Sequence, residues 1–224
     1  MSFKVVIPSA KAENLVACVR AVLSRDPHIS PERIIVVDDG ARAEAEPELP
    51  PGICWLQGIR PFIYARNVNL ALAVAESDVV LLNDDALLTT PYGFTYLGGQ
   101  VQSRPSLGLC SAGIKGAIGN PNQLDTGREE FRAEKRTLAF VCVYVPLSTY
   151  ESLGPLDERF VAYGYEDNDY CARALQTQLE LGIWDGCVVD HGKELVSTFR
   201  SRPDISQLLQ HNARLFREKW GRDA

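Results

Sequence analysis

The chain has 224 residues, enough for one well-buried domain with at most a small appendage. Its composition, 46% hydrophobic and 23% charged, is that of an ordinary globular protein, and its net charge of −6 argues against a general nucleic-acid or anionic-membrane binder, since both need a basic face. An acidic protein that binds an anionic nucleotide would be helped by a divalent cation bridging the two.

Phe3–Ile7 is a continuous apolar run closed by Pro8, which suits a strand buried on both faces. Leu15, Val16, Val19, Val22 and Leu23 recur at helical spacing, and Ser24 and Asp26-Pro27 close that segment. Arg33–Val37 predicts a second buried strand, ending at Asp38-Asp39-Gly40. Glu44–Gly52 is a polar loop, and Ile53–Leu56 a short strand. Tyr64–Ala75 is Ala- and Leu-rich and helical, and Asp78–Leu82 is a third buried strand, ending at Asn83-Asp84-Asp85. A helix follows Pro91, and Leu107–Ile114 is a strand. Gly116–Lys135 is polar, without a clear period, and is expected to be a mobile loop. Thr137–Val145 is strand-like, Glu166–Leu179 a helix, Ile183–Val189 a strand, and Ser206–Trp220 an amphipathic last helix. There is no internal repeat.

Six scattered cysteines form no CxxC pair and no zinc spacing, and several lie in apolar runs as core residues would. The N-terminus enters a strand at once without a signal-peptide layout, and no apolar run nears the roughly 18 residues that span a bilayer. A reducing, cytoplasmic protein with no membrane helix is expected.

Strands alternating with helices predict an α/β fold, with a mostly parallel, Rossmann-like sheet covered on both faces. Ligands bind such sheets beyond the carboxyl ends of the strands. The pairs Asp38-Asp39 and Asp84-Asp85 both end strands and so face one crevice. Adjacent carboxylates there are unfavourable unless a cation or hydrogen-bond donors sit among them, and magnesium and manganese prefer such oxygen ligands. The structural alternative is that these residues cap the turn or helix that follows each strand.

Several segments, in order, resemble bacterial family-two glycosyltransferases with a GT-A fold, and the likeness covers nearly the whole chain. They are Val5-Val-Ile-Pro-Ser9, Ile35-Val-Val-Asp-Asp-Gly40, Ala65-Arg-Asn67 and Leu81-Leu-Asn-Asp-Asp85. Gly154-Pro-Leu-Asp-Glu-Arg-Phe160, Tyr165-Glu-Asp-Asn-Asp169 and the tail Asn212–Gly221 complete the set. The resemblance implies a single GT-A domain over residues 1–224, with a nucleotide-sugar half to about residue 115 and an acceptor-side half beyond it.

It implies an inverting, metal-dependent transferase that moves a sugar from a UDP-, dTDP- or GDP-linked donor to a glycan or other hydroxyl acceptor. Pro8, Asp39, Arg66 and Asp84 would bind donor, with Asp39 on base or ribose. Asp85 and His191 would hold Mn2+ or Mg2+, with Asp190 the rival to His191. Asp167 would be the catalytic base and Glu166 an acceptor contact, while Asp169 stays structural. Arg66 could equally pair with Asp38 or Asp39 within the fold. Two positions depart from the pattern. Ala10-Lys11 stand where relatives often carry Tyr-Asn, whose aromatic ring packs on the base, and Asn83 opens the metal motif in place of Asp. Two other readings stand beside this one. A nucleotidyltransferase would normally show a Gly-rich loop after the first strand, and Pro8–Glu13 has no glycine. A degenerate, non-catalytic module that binds glycan or nucleotide is the other.

Overall fold

A computed structural model describes residues 3–116, 120–192 and 203–224. The elements in chain order are β1 (Phe3–Ser9), α1 (Ala12–Arg25), β2 (Ile34–Asp38), α2 (Arg42–Ala45), β3 (Cys54–Gln57), α3 (Tyr64–Ala75), β4 (Asp78–Leu82) and β5 (Ala86–Leu88). They continue with α4 (Gly93–Gln102), β6 (Leu107–Gly116), β7 (Phe131–Glu134), β8 (Cys142–Val145), α5 (Leu147–Leu153), α6 (Glu166–Gln176), β9 (Glu180–His191) and α7 (Ile205–Trp220).

All nine described strands belong to one sheet, in the order β3-β2-β1-β4-β8-β6-β9-β5, with β7 added along β9. The first four are parallel neighbours, as the alternating sequence predicts. Beyond β4 the sheet is mixed: β8 runs antiparallel to β4 and β6, β9 is parallel to β6, and β5 and β7 are antiparallel to β9.

The apolar strands carry side chains to both faces with period two. Val5, Ile7, Ile34, Val36, Val80 and Leu82 pack with α1, α2 and α4, whereas Val6, Ile35, Val37, Val79 and Leu81 pack with α3, α5 and α6. The result is one α/β sheet with helices on both sides.

Asp26 fastens α1 to α4: its buried carboxylate accepts from Thr95 N at 2.8 Å and Thr95 Oγ1 at 2.9 Å. Asn69 fastens α3 to the chain after α5 through paired 2.9 Å bonds with the backbone N–H and C=O of Leu156.

The expected loop over Gly116–Lys135 is in large part ordered. Residues 117–119 lie outside the described residues, but Pro121–Gln123 forms a 3₁₀ turn and β7 joins the sheet. The sequence hides this because β7 is four residues of mixed polarity whose ladder to β9 and ion pair to Asp185 are both long-range. Arg132 Nε and Nη2 clasp both oxygens of Asp185 at 2.7 and 2.8 Å, and the Asp185 side chain is fully buried. The strand expected over Thr137–Val145 is confined to β8, because Leu138–Val141 wraps toward the cleft described below. Directly after β8, Leu147–Leu153 forms α5, a helix that the sequence periodicity does not mark because one so short shows no helical repeat.

Arg132→Ala would strand the Asp185 charge in the interior. A loss of about 3 kcal/mol in urea unfolding is expected, with β7 amides losing their exchange protection first.

Candidate functional site

The sheet ends converge on a cleft of about 430 Å³. Its walls are the end of β1 (Pro8, Ser9, Ala10), the turn Asn83–Asp85, the segment Ala139–Val141, and Tyr163–Asn168 at the start of α6, with Phe62, Tyr64 and His191 between them. Six of the eight site residues expected from the sequence therefore share one cavity: Pro8, Asp84, Asp85, Glu166, Asp167 and His191.

The Asn83–Asp85 turn is built by its neighbours. Asn83 N donates to Val141 O at 2.9 Å, and Ala86 N donates back to Asn83 O at 3.1 Å. Beneath it the Cys18 thiol donates to the carbonyls of Asn83 and Ala86. Because β1 and β4 are parallel neighbours, their carboxyl ends meet, and Ser9 Oγ donates to Asp84 Oδ2 at 2.6 Å. Burial is the main cause that pushes the Asp84 carboxyl up to about 6, with the adjacent Asp85 charge adding to it and the Ser9 hydroxyl opposing.

Register places the next pair. Ala86 of β5 faces His191 of β9, so Asp85, one residue earlier, lies beside the imidazole. His191 Nε2 and Asp85 Oδ1 are 3.3 Å apart, and both residues are buried, at 1% and 5% exposure. A buried carboxylate oxygen and ring nitrogen at that separation are spaced as neighbouring ligands of one divalent ion would be. The two residues thus fit a metal, although no cluster of three or more His, Cys, Asp or Glu side chains suited to one exists among the described residues. The remaining positions would fall to phosphate oxygens and water, the usual habit of magnesium and manganese.

Further along the chain, Glu166 and Asp167 open α6. Asp167 Oδ1 accepts from Asn168 N at 2.8 Å. Glu166 lines the cleft and is 4% exposed, and its buried Oε2 has no hydrogen-bond partner. Burial raises both carboxyls above their ordinary range, Glu166 well above it, and the Asp167 charge pushes Glu166 further. Tyr64 donates to Phe140 O at 3.3 Å, and burial together with the Glu166, Asp167 and Asp85 charges keeps its phenol protonated.

Asp39 and Arg66 do not line the cleft. Asp39 pairs with Arg60, whose Nε lies 3.3 Å from Oδ1 and whose Nη2 donates to the Asp39 carbonyl at 2.9 Å. Arg66 instead donates to the carbonyl of Pro61. The alternative in which Arg66 pairs with Asp38 or Asp39 is not found, since the turn after β3 brings Arg60 back over the end of β2 while Arg66 sits within the first turn of α3. Asp38 caps its own turn: Oδ1 accepts from the amides of Gly40, Ala41 and Arg42 at 2.9, 2.7 and 2.9 Å. Asp169 is fully buried and bound to Arg173, Lys219 and Trp220 rather than to the cleft. Asp190 is not among the cleft residues.

Sequence reasoning missed the aromatic lining of Phe62, Tyr64, Phe140, Tyr163 and Tyr165. These residues are scattered along the chain and carry no common spacing. It also assigned no role to Asn212, although a polar residue between Leu208 and Phe216 on the apolar stripe of α7 is a visible signal.

No protein-family model matches the chain, and no curated protein matches it in sequence. Among solved structures it is similar to GalNAc-T7, crystallised with UDP, GalNAc and Mn2+. The likeness has a TM-score of 0.72 at 13% identity and covers 97% of this chain but 50% of that one, so the chain spans about half that protein's length. It shows the fold. No described helix is long and apolar enough to cross a membrane.

Asp38→Ala should cost about 2 kcal/mol in urea unfolding, because three backbone amides lose one shared acceptor.

Proposed function

We propose that the chain is a metal-dependent glycosyltransferase that moves a sugar from a nucleotide-diphosphate donor to a hydroxyl acceptor with inversion. One observation carries the reading. Four carboxylates line the cleft (Asp84, Asp85, Glu166 and Asp167), and no Lys or Arg stands among its described lining residues. A nucleotide diphosphate brought into such a cleft is repelled unless a cation accompanies it. The Asp85–His191 pair offers a place for that cation, and the fold is shared with a protein crystallised with UDP and Mn2+.

On this reading Asp85 and His191 hold Mn2+ or Mg2+, and Asp84, steadied by Ser9, lies next to them on the ribose side. The metal, when bound, neutralises charge on the departing diphosphate. Asp39 and Arg60 stand at the end of β2 as the polar groups for the base, and Arg66 lies further along, in α3. Pro8 closes the floor beside Ala10. Asp167 takes the proton of the acceptor hydroxyl as its oxygen bonds to the anomeric carbon, and the bond from that carbon to the diphosphate oxygen breaks. The unpartnered Glu166 Oε2 receives a second acceptor hydroxyl. With no cation on the described walls, a neutral sugar hydroxyl suits the cleft better as acceptor than a charged group does.

Three measurements test this. UDP with Mn2+ at one hundred times Kd should raise Tm by about 5 °C or more, and dTDP and GDP in the same panel would identify the base. Asp85→Ala should abolish metal-dependent release of nucleoside diphosphate, and turnover within a few-fold of wild type would remove the metal assignment.

The pH profile gives a separate check. A base must be ionised to act, and burial raises the Asp167 carboxyl. Activity should therefore fall as pH drops through a value above the ordinary aspartate pKa of about 4. An acid limb of kcat/KM at or below that value would exclude Asp167 as the base.

A further inference from the structure

The residues that open α6 are presented by a turn in an unfavourable conformation. Ala162, Gly164 and Tyr165 have φ of 55°, 95° and 75°, and two of these three are not glycine. Such left-handed residues persist only where their surroundings determine them. On one side the turn is held by α3, since Tyr64 N donates to Ala162 O at 2.7 Å and Ile63 bridges Ala162.

On the other side it is held by α7. Asn212 is fully buried, and its side chain reaches the turn through both of its polar atoms. Oδ1 accepts from Val161 N at 2.9 Å. Nδ2 donates to the carbonyls of Val161, Tyr163 and Gly164 at 2.9, 3.2 and 2.9 Å. The partners fix the amide orientation, because three carbonyls need the nitrogen and one N–H needs the oxygen. Leu209, one turn earlier on α7, presses on the same place: a Cβ at position 164 would lie 2.7 Å from its Cδ2, and the φ of 95° there favours glycine. Phe216, one turn later, packs on the Tyr165 ring with centroids 5.9 Å apart. The turn itself contributes Tyr163, Gly164 and Tyr165 to the cleft and leads straight into Glu166 and Asp167.

We infer that Asn212 is a positioning residue of this site: from the last helix it locks the 161–165 turn and so aims the Glu166 and Asp167 carboxylates into the cleft. The inference rests on the proposed transfer reaction. Asn212 touches neither the Asp84–Asp85 turn nor His191 through these bonds, so its effect falls on the chemical step and not on nucleotide binding.

The test uses the full chain with Asn212→Ala, Asn212→Asp and Asn212→Ser. Aspartate keeps the size and the Val161 bond but sets a carboxylate against three carbonyls. Serine is shorter, retains one donor and one acceptor, and is the variant to rely on if alanine does not fold. For each variant folded by circular dichroism, transfer kcat is measured, together with the Kd of UDP in Mn2+ by calorimetry. Expected are a fall in kcat of at least ten-fold for alanine and aspartate and a smaller fall for serine, with UDP Kd within two-fold of wild type. Folded Asn212 variants with wild-type kcat, or a kcat loss matched by an equal loss of UDP affinity, would overturn the inference. A wild-type chain that turns over no nucleotide-sugar would instead overturn the transfer reading, so the two failures are told apart.

Discussion

The fold concentrates negative charge at one end of its sheet, and most of what is distinctive about the molecule is a response to that. Parallel β1, β2 and β4 bring their carboxyl ends together, and with them Asp38, Asp39, Asp84 and Asp85. The start of α6 adds Glu166 and Asp167 to the same end. Two charges 4 Å apart near a protein surface repel by about 4 kcal/mol, so the cluster is stable only where each carboxylate finds a donor, a proton or a cation. The structure uses the first two directly. Ser9 and the Asn168 amide supply donors, and burial shifts Asp84, Glu166 and Asp167 toward their neutral forms. The proposed metal at Asp85 and His191 is the third.

Within each acidic group the residues divide their work by what surrounds them. Asp38 spends one oxygen on three backbone amides, while its neighbour Asp39 keeps its carboxylate beside the exposed Arg60. Asp169 is paired with Arg173 and Lys219 and accepts from the Trp220 indole, whereas Glu166, three residues earlier, holds an oxygen with no partner. Residue type alone does not separate these pairs. A carboxylate fully satisfied by its own chain is structural, and one left short of donors at a cavity wall is where a ligand is expected to complete the set.

This division explains what could be read from the sequence. The strands β1, β2 and β4 and the helix α3 were legible because continuous apolar runs and a twelve-residue helical period leave few alternatives. The place of Asp84 and Asp85 in the cleft followed from the rule that ligands gather at strand ends, whereas Asp38 and Asp39, expected to face the same crevice, are not among its lining residues. In the mixed half, β6, β8 and β9 coincide with runs that read as strands, but β5 and β7 were not legible. β5 is three residues and β7 four, too short to show a period, and β7 depends on an ion pair to Asp185, more than fifty residues away. The pairing of Asp85 with His191 likewise depends on the β5–β9 register. The ion pair of Asp39 was not legible either, because only the path of the chain after β3 shows that Arg60, and not Arg66, reaches it.

That same path bears on the base side of the proposed donor site. At Ala10, where an aromatic ring would be expected after the first strand, the side chain is a methyl group and offers no stacking surface. The chain after β3 supplies one from elsewhere. Gly58 N donates to Asp38 O at 2.8 Å, in a position where a Cβ would meet that same oxygen at 2.8 Å, so the backbone can pass only as glycine. Ile59 N then donates to Asn67 Oδ1 at 3.0 Å, which fixes the chain against α3 and directs Arg60 toward Asp39 and Phe62 into the cleft. The β3–α3 connection thus supplies a ring to the cleft that Ala10 also lines, and a cation to Asp39 outside that lining. On the proposed reading, selection among nucleotide bases falls to Phe62 and the Arg60–Asp39 pair, and the segment after β1 contributes only backbone and the Ser9 hydroxyl that steadies Asp84.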